Sequence, residues 1–441
     1  MRRLCTILAA ATALALGGAG AAHAVAPPAE FGTSWDNPRT AAPPVSKPPT
    51  RSCTEQIVDH GFADFNNFIS TYTPPAGCPG PWAKVVLHLD GAVKGRQFDR
   101  LGWLTVGDVM LLKTSTPEPS PDGITWSAHP APPAASDVLP LSAPATSGAD
   151  LTGTVTVPRN TERLLAEVYA TGSGGGCEEF WYITAPSSTG YSCPADPGPY
   201  REVQVLLDGQ LAGIAEPFPH VYTGGWSNPF LWYVLPAPRA FDIRPITYDL
   251  SPYLGPLTDG AAHHVSVHVV GVPAGQPGWD TPVSFLAWRD PGAAQVTGRV
   301  LTHRVGDLID QSTAQVSGTD HIVTTHAAHA LTAAGLLHTS HGIVTTLVDQ
   351  RVGNDSVHRW GAGENPDALA ATWTDDATSL VVGGGPHVGL TRSALRYHLD
   401  GTITVDAANR LTTTITMTDA GTTSTGGSFT RLSDDLGAET P

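Results

Sequence analysis

Basic residues are scarce in this chain of 441 residues: 24 Lys and Arg stand against 40 Asp and Glu, a formal net charge of −16. So acidic a surface repels phosphate backbones, which argues against nucleic acid as a partner. Cysteine is sparse too, at five. Beyond the opening segment no apolar run reaches the roughly 20 residues that a bilayer-spanning helix needs. No GxSxG elbow occurs, so nothing supports a serine nucleophile. Stretches able to form long helices are also missing. With 39 prolines and 47 glycines, the clearest helical candidates are short, around 306–313 and 391–398.

What is present begins with an export signal. Arg2 and Arg3 precede an apolar stretch that ends in Ala22-His23-Ala24, the layout of a secretory leader cut near Ala24. The mature chain is then expected to be extracellular, with no membrane attachment. Cleavage would leave 22 basic against 40 acidic groups and a charge of −18. Cys5 leaves with the leader. The remaining Cys53, Cys78, Cys177 and Cys193 form an even set, as two disulfides of an exported protein require. Three connectivities are open, and short loops favour Cys53–Cys78 and Cys177–Cys193. No thiol is then left for nucleophilic catalysis. Neither pair has the close spacing of a zinc knuckle.

Strand patterns dominate the rest. "WAKVVLHLDGAV", "WLTVGDVMLLKTST", "LLAEVYATG", "REVQVLLDGQLAG" and "HHVSVHVVGV" alternate or run apolar over strand lengths between Gly, Pro and Asp. The fold expected is all-β, since many short strands with turns between them favour sandwiches or jelly rolls, and the chain falls into three β blocks. The divisions are a signal at 1–24, a Pro-rich arm at 25–50, a first domain with its connection at 51–150, a second domain at 151–292, a C-terminal β domain at 293–431 and a tail at 432–441. The third block reads as a packing or accessory domain.

Several residues could carry chemistry. Asp99 sits in "KGRQFDRLGW" between Phe98 and Arg100, where it either staples a loop or holds a carboxylate ready. Glu178 and Glu179 lie in "GGGCEEFWYITAP" against Trp181, after a glycine run and beside a cysteine. Aromatic packing desolvates a carboxylic acid and raises its pKa, a device suited to acid–base work near neutrality. Ring faces beside acids also suit sugars. A hairpin with one exposed acid and a buried Trp explains the same residues equally well. Further along, Arg201, Glu202, Asp208, Glu216 and His220 follow, with Asp208-Gly209 reading as a hairpin turn. The Thr223–Trp226 stretch, "TGGW", resembles a ligand loop. His321, His326, His329, His338 and His341 crowd a short segment, but their intervals match no metal-binding pattern. No metal and no cofactor are expected.

Blocks in one order over residues 71–290 carry a family resemblance. They are "YTPPAGCPGPWAKVVL", "KGRQFDR", "TPEPSPDGITW", "RNTERLLAEVY", "EEFWY", "GPYREVQVLLDG", "EPFPHVYTGG", "DLSPYLGPLTDG" and "SFLAWRD". The chain resembles the peptide N-glycanase A family. That resemblance implies two jelly-roll-like domains with a site in the groove between them. It also implies a metal-independent amidase acting on the bond between asparagine and the innermost sugar of N-glycosylated peptides or glycoproteins. By analogy with a bacterial glycoamidase, the catalytic roles fall on Asp99 and Glu179, with Arg100 orienting the aspartate or stabilising the oxyanion. Trp181, Glu178, Arg201, Glu202 and Trp226 are expected at the substrate. Plant members carry further strands after their counterpart of "GITW", Gly123–Trp126, so the first domain here is expected to be shortened. A glycan-binding protein without turnover and an endo-acting glycosidase using the same carboxylates are the competing readings.

Overall fold

The computed structural model describes residues 49–61, 67–80, 82, 85–93, 101–115, 124–128, 135–172, 176–221, 237–240, 242–276 and 278–440. The expected leader, nearly all of the Pro-rich arm, and Asp99, Arg100 and Trp226 lie outside them. The architecture is all-β, as the alternation predicts. Both disulfides pair as loop length suggests, Cys53 with Cys78 and Cys177 with Cys193.

The first block contributes β1 (Leu89–Val93), β2 (Leu101–Val106), β3 (Val109–Ser115) and β4 (Ile124–Ala128). β1 pairs with β4, and β2 with β3 through a turn at Gly107-Asp108, both at positive φ. These two antiparallel pairs are the described remainder of a domain expected to be short.

A sandwich follows, built from β5 (Asp137–Pro140), β6 (Ser142–Ser147), β7 (Asp150–Val155), β8 (Thr161–Val168), β9 (Thr171–Gly172), β10 (Glu202–Leu207), β11 (Gln210–Ala215), β12 (Ile246–Asp249), β13 (His263–Val270), β14 (Trp279–Asp280) and β15 (Val283–Arg289). One sheet runs β11-β10-β13-β7-β6, the other β12-β8-β15-β5, and β9 pairs with β14. The stretch before residue 151, expected as a loose connection containing one strand, supplies two, β5 and β6, to this sandwich. Period-2 alternation places Val203, Val205, Leu207, Val265, Val267 and Val269 of one sheet against Leu164, Ala166, Val168 and Phe285 of the other. The Asp208-Gly209 turn between β10 and β11 has both residues at positive φ, as a two-residue hairpin loop demands.

The C-terminal sheet consists of β16 (Thr297–Val305), β17 (Ile309–Ser317), β18 (Asp320–Thr339), β19 (Gly342–Trp360), β20 (Asp367–Gly383), β21 (Gly389–Val405), β22 (Leu411–Thr425) and β23 (Ser428–Thr440). It is an antiparallel meander in which β16 and β17 share the edge of β18, a strand of 20 residues. The helical expectations at 306–313 and 391–398 are overturned: β17 runs through the first segment and β21 through the second. Neighbouring long strands satisfy the backbone there, which outweighs a weak local helix propensity. β23 also runs into the residues set apart as a tail, 432–441. The five clustered histidines spread along β18 and its following turn. His321 stacks on Trp360, while His326 bonds Asp355 and His329 bonds Glu202.

This sheet closes over the outer face of β10–β11. Ile214 is fully buried with Leu331 and Val352, and its amide donates to Gln350 Oε1 at 3.2 Å. Arg239 binds Asp419 through Nε and Nη2 at 2.7 and 2.9 Å, and Tyr191 donates to Asp367 at 2.6 Å. So extensive a junction, part apolar and part charged, makes the accessory sheet a structural support of the sandwich.

Candidate functional site

The "EEFWY" segment forms a short 3-10 turn, Cys177–Ile183, entered through Gly176 at φ 86° and held at its start by the Cys177–Cys193 disulfide. Its two glutamates diverge. Glu178 is fully buried: Arg201 reaches it with Nε and Nη2 at 2.9 and 2.7 Å, and Trp279 Nε1 donates at 2.6 Å. The remaining Arg201 nitrogen donates to the carbonyls of Gly198 and Tyr200. A bidentate pair with its residual valences filled is the arrangement that tolerates burial of two charges. Glu179 is half-buried, its amide bonded to the Gly176 carbonyl at 3.2 Å. Its charge helps to raise the pKa of buried Tyr182, after burial itself.

Trp181 is only 2% exposed and forms the centre of an aromatic cluster. Its ring lies 5.8 Å from Tyr182, 6.2 Å from Trp279 and 5.8 Å edge-on to Trp373 of β20. The C-terminal sheet therefore buttresses the turn directly. Glu202 is fully buried on the other side of β10, where it accepts from Tyr200, Gln204 and His329. Glu178, Arg201, Glu202 and Trp181 are thus engaged with one another or with neighbouring elements, and of the expected site residues in this turn Glu179 is the one near the surface. Trp279, Trp373 and Lys113 were not among the residues expected at the site, because nothing local marks them as neighbours of the turn.

Lys113 connects the first block to it. The β2–β3 hairpin packs Leu101 and Met110 against Tyr169 and Ile243. Lys113 on β3 is buried and donates to Thr171 Oγ1 at 2.6 Å and Asp280 Oδ2 at 2.8 Å. Burial lowers its pKa, while Asp280 opposes the shift. Thr171 and Gly172 form β9, and a Cβ on Gly172 would stand 1.9 Å from the Glu178 carbonyl oxygen. Only glycine lets the turn settle so close to that strand.

A second group of acids lies between β10–β11 and the C-terminal sheet. Glu216 is buried, and among the described residues neither of its oxygens meets a donor; burial, then Glu202 and Asp375, raise its pKa well above the carboxylate range. Burial pushes Asp375 up to about 7 and Asp310 to about 6. An acid whose pKa rises on folding contributes stability in full below its unfolded value near 4, and loses it as pH rises through the folded value. Asp375→Asn is therefore expected to melt about 5 °C above the parent at pH 8, with the gap closing towards pH 4. A pH-independent difference between the two melting curves would contradict this account.

A family comparison spans the turn and its surroundings. The profile described as "Peptide N-acetyl-beta-D-glucosaminyl asparaginase amidase A" matches residues 38–131 and 132–283, more than half of the chain. The chain belongs to this family. The two matched segments meet in the Pro-rich connection that follows Trp126, where strands were expected to be missing. A relative from Prunus dulcis, "Peptide-N4-(N-acetyl-beta-glucosaminyl)asparagine amidase A", is 24% identical over 381 residues. The alignment covers 69% of this chain and 66% of that protein, just under two thirds of its length. No solved structure matches. The family match ends before β16, so the C-terminal sheet that supports Trp181 lies beyond it.

Proposed function

We propose that this chain is an exported amidase that hydrolyses the bond between asparagine and the innermost N-acetylglucosamine of N-glycosylated peptides. Family membership supports the reaction class, and the activity named for the Prunus dulcis relative supports the substrate. Export accords with the two disulfides; among the described residues no helix is long and apolar enough to cross a membrane.

The observation that carries the assignment of Asp99 and Glu179 is the docking of the β2–β3 hairpin. Leu101, two residues after Asp99, packs on Tyr169, and Lys113 anchors the same hairpin to β9 beneath the Glu178–Glu179 turn. In the chain Asp99 stands two residues before Leu101, and this nearness in sequence to the docked hairpin supports pairing it with Glu179. In this reading Asp99 works on the scissile amide, and Glu179 positions the attacking water and the sugar. Arg100 orients the aspartate or stabilises the developing oxyanion. Water adds to the amide carbon, the carbon–nitrogen bond breaks, and the proton ends on the departing nitrogen. The products are a peptide bearing aspartate and a glycosylamine that loses ammonia in water. Glu178, Arg201 and Trp181 hold the turn, Glu202 ties it to the C-terminal sheet, and Trp226 contributes to the sugar subsite.

Incubation with a simple N-glycopeptide, followed by mass analysis, tests the reading. Asparagine converted to aspartate after loss of the whole glycan is the expected result. Asparagine retaining a single sugar would make the chain an endo-acting glycosidase. An unchanged glycopeptide that nevertheless binds would make it a glycan-binding protein.

A further inference from the structure

Glu162 at the start of β8 is nine-tenths buried, yet among the described residues no donor comes within hydrogen-bonding distance of its carboxylate. Instead each oxygen faces an imidazole. Oε2 lies 3.7 Å from His341 Nε2, and Oε1 lies 3.7 Å from His387 Nε2. His341 Nε2 also lies 3.8 Å from Oδ1 of Asp290, whose carboxylate is held by Ser340 and the Gly292 amide. One donor atom each from Glu162, Asp290 and His341 falls within 4.8 Å of the others. The four residues come from four places: β8, the end of β15, the β18–β19 turn and the β20–β21 turn.

We propose that Glu162, Asp290, His341 and His387 form a binding site for a zinc-class divalent ion that clasps the C-terminal sheet to the sandwich. Two imidazoles with two carboxylates suit zinc, whereas calcium and magnesium take oxygen donors. Ligand atoms about 2.0–2.2 Å from a tetrahedral zinc stand roughly 3.3–3.6 Å apart; the Glu162–His341, Glu162–His387 and Asp290–His341 separations of 3.7, 3.7 and 3.8 Å approach that spacing, and His387, outside the group of three within 4.8 Å, closes in furthest on binding. Both histidines sit at the tips of long hairpins, where such movement is least constrained by strand pairing. The surrounding backbone nevertheless keeps the two hairpin tips close together. A Cβ on Gly384 would lie 2.2 Å from the His341 carbonyl oxygen, so the Gly383–Gly385 run wraps closely round that residue before delivering His387. His387 rests edge-on against Trp288 at 6.0 Å, and Arg163 stacks over the same ring at 4.8 Å. That guanidinium is the opposing charge, and its stacking gives it a partner other than the acids.

The site lies apart from the Glu179 turn, so its test is independent of the hydrolysis. Full-length protein stripped with a chelator is titrated with zinc, and separately with magnesium, by calorimetry and thermal melting. One zinc per chain is expected, with melting raised by about 5 °C at a hundredfold excess over Kd, and no response to magnesium. His387→Gln and His341→Gln each leave the stripped protein folded and weaken zinc binding at least about tenfold, the loss of one ligand bond. Cobalt substitution gives the intense visible bands of a tetrahedral ion, which either substitution removes. No zinc-dependent stabilisation, or binding unchanged in both variants, overturns the proposal; the latter outcome places the ion on others of the 17 histidines.

Discussion

Replacing Glu179 by glutamine is expected to lower release of glycan from a glycopeptide by about a hundredfold to ten-thousandfold, the range carried by a positioned proton-transfer group. The melting temperature should move by no more than about 2 °C, because the residue is half-exposed and glutamine keeps its shape. This combination separates a chemical role from a structural one. The neighbouring acid cannot substitute, since Glu178 already accepts from Arg201 and Trp279 in the interior. Asp99→Asn is expected to give a loss of the same order. If Glu179 orders water and the innermost sugar together, kcat falls and KM rises in its variant. Near-normal hydrolysis by Glu179→Gln, measured by mass analysis on the same glycopeptide, would remove it from the mechanism.

How much of this was legible in the sequence depends on the range of the interactions. Period-2 patterns such as "HHVSVHVVGV" and the turn residues Asp208-Gly209 encode strand and hairpin locally, and both formed as read. Segment 391–398 carries no local alternation strong enough to compete, and its strand exists because β20 and β22 flank it. The histidines show the same limit. Searching for short spacings within 321–341 could not find His341 opposite Glu162 and Asp290, since those partners are remote in the chain and meet only when the sheet folds over the sandwich. "EEFWY" was visible as a candidate because acids beside aromatics are unusual. Which glutamate turned inward was not, because Arg201 and Trp279 decide it from elsewhere in the chain.

That inward choice sets the second large effect. Arg201→Met is expected to cost about 3–5 kcal/mol, the penalty for leaving a buried charge without its partner, and so to lower the melting temperature by roughly 10 °C. Methionine fills similar volume but supplies none of the bonds that Arg201 gives to Glu178, Gly198 and Tyr200. The double replacement Glu178→Leu with Arg201→Met recovers part of the loss, because an apolar pair removes the stranded carboxylate. Recovery stays incomplete: Trp279 Nε1 loses its acceptor, the Tyr200 carbonyl loses the Arg201 donor, and the Gly198 carbonyl keeps only the Thr184 hydroxyl at 3.4 Å. Urea unfolding of the parent, the two single variants and the double variant gives the coupling energy. Activity of Arg201→Met should fall as well, even at temperatures where it remains folded, since Glu179 is adjacent in the turn to the residue that lost its anchor. A single-variant loss below about 1 kcal/mol, the scale of an exposed pair, would mean that water reaches Glu178 and that the turn is held by its disulfide and aromatic cluster alone.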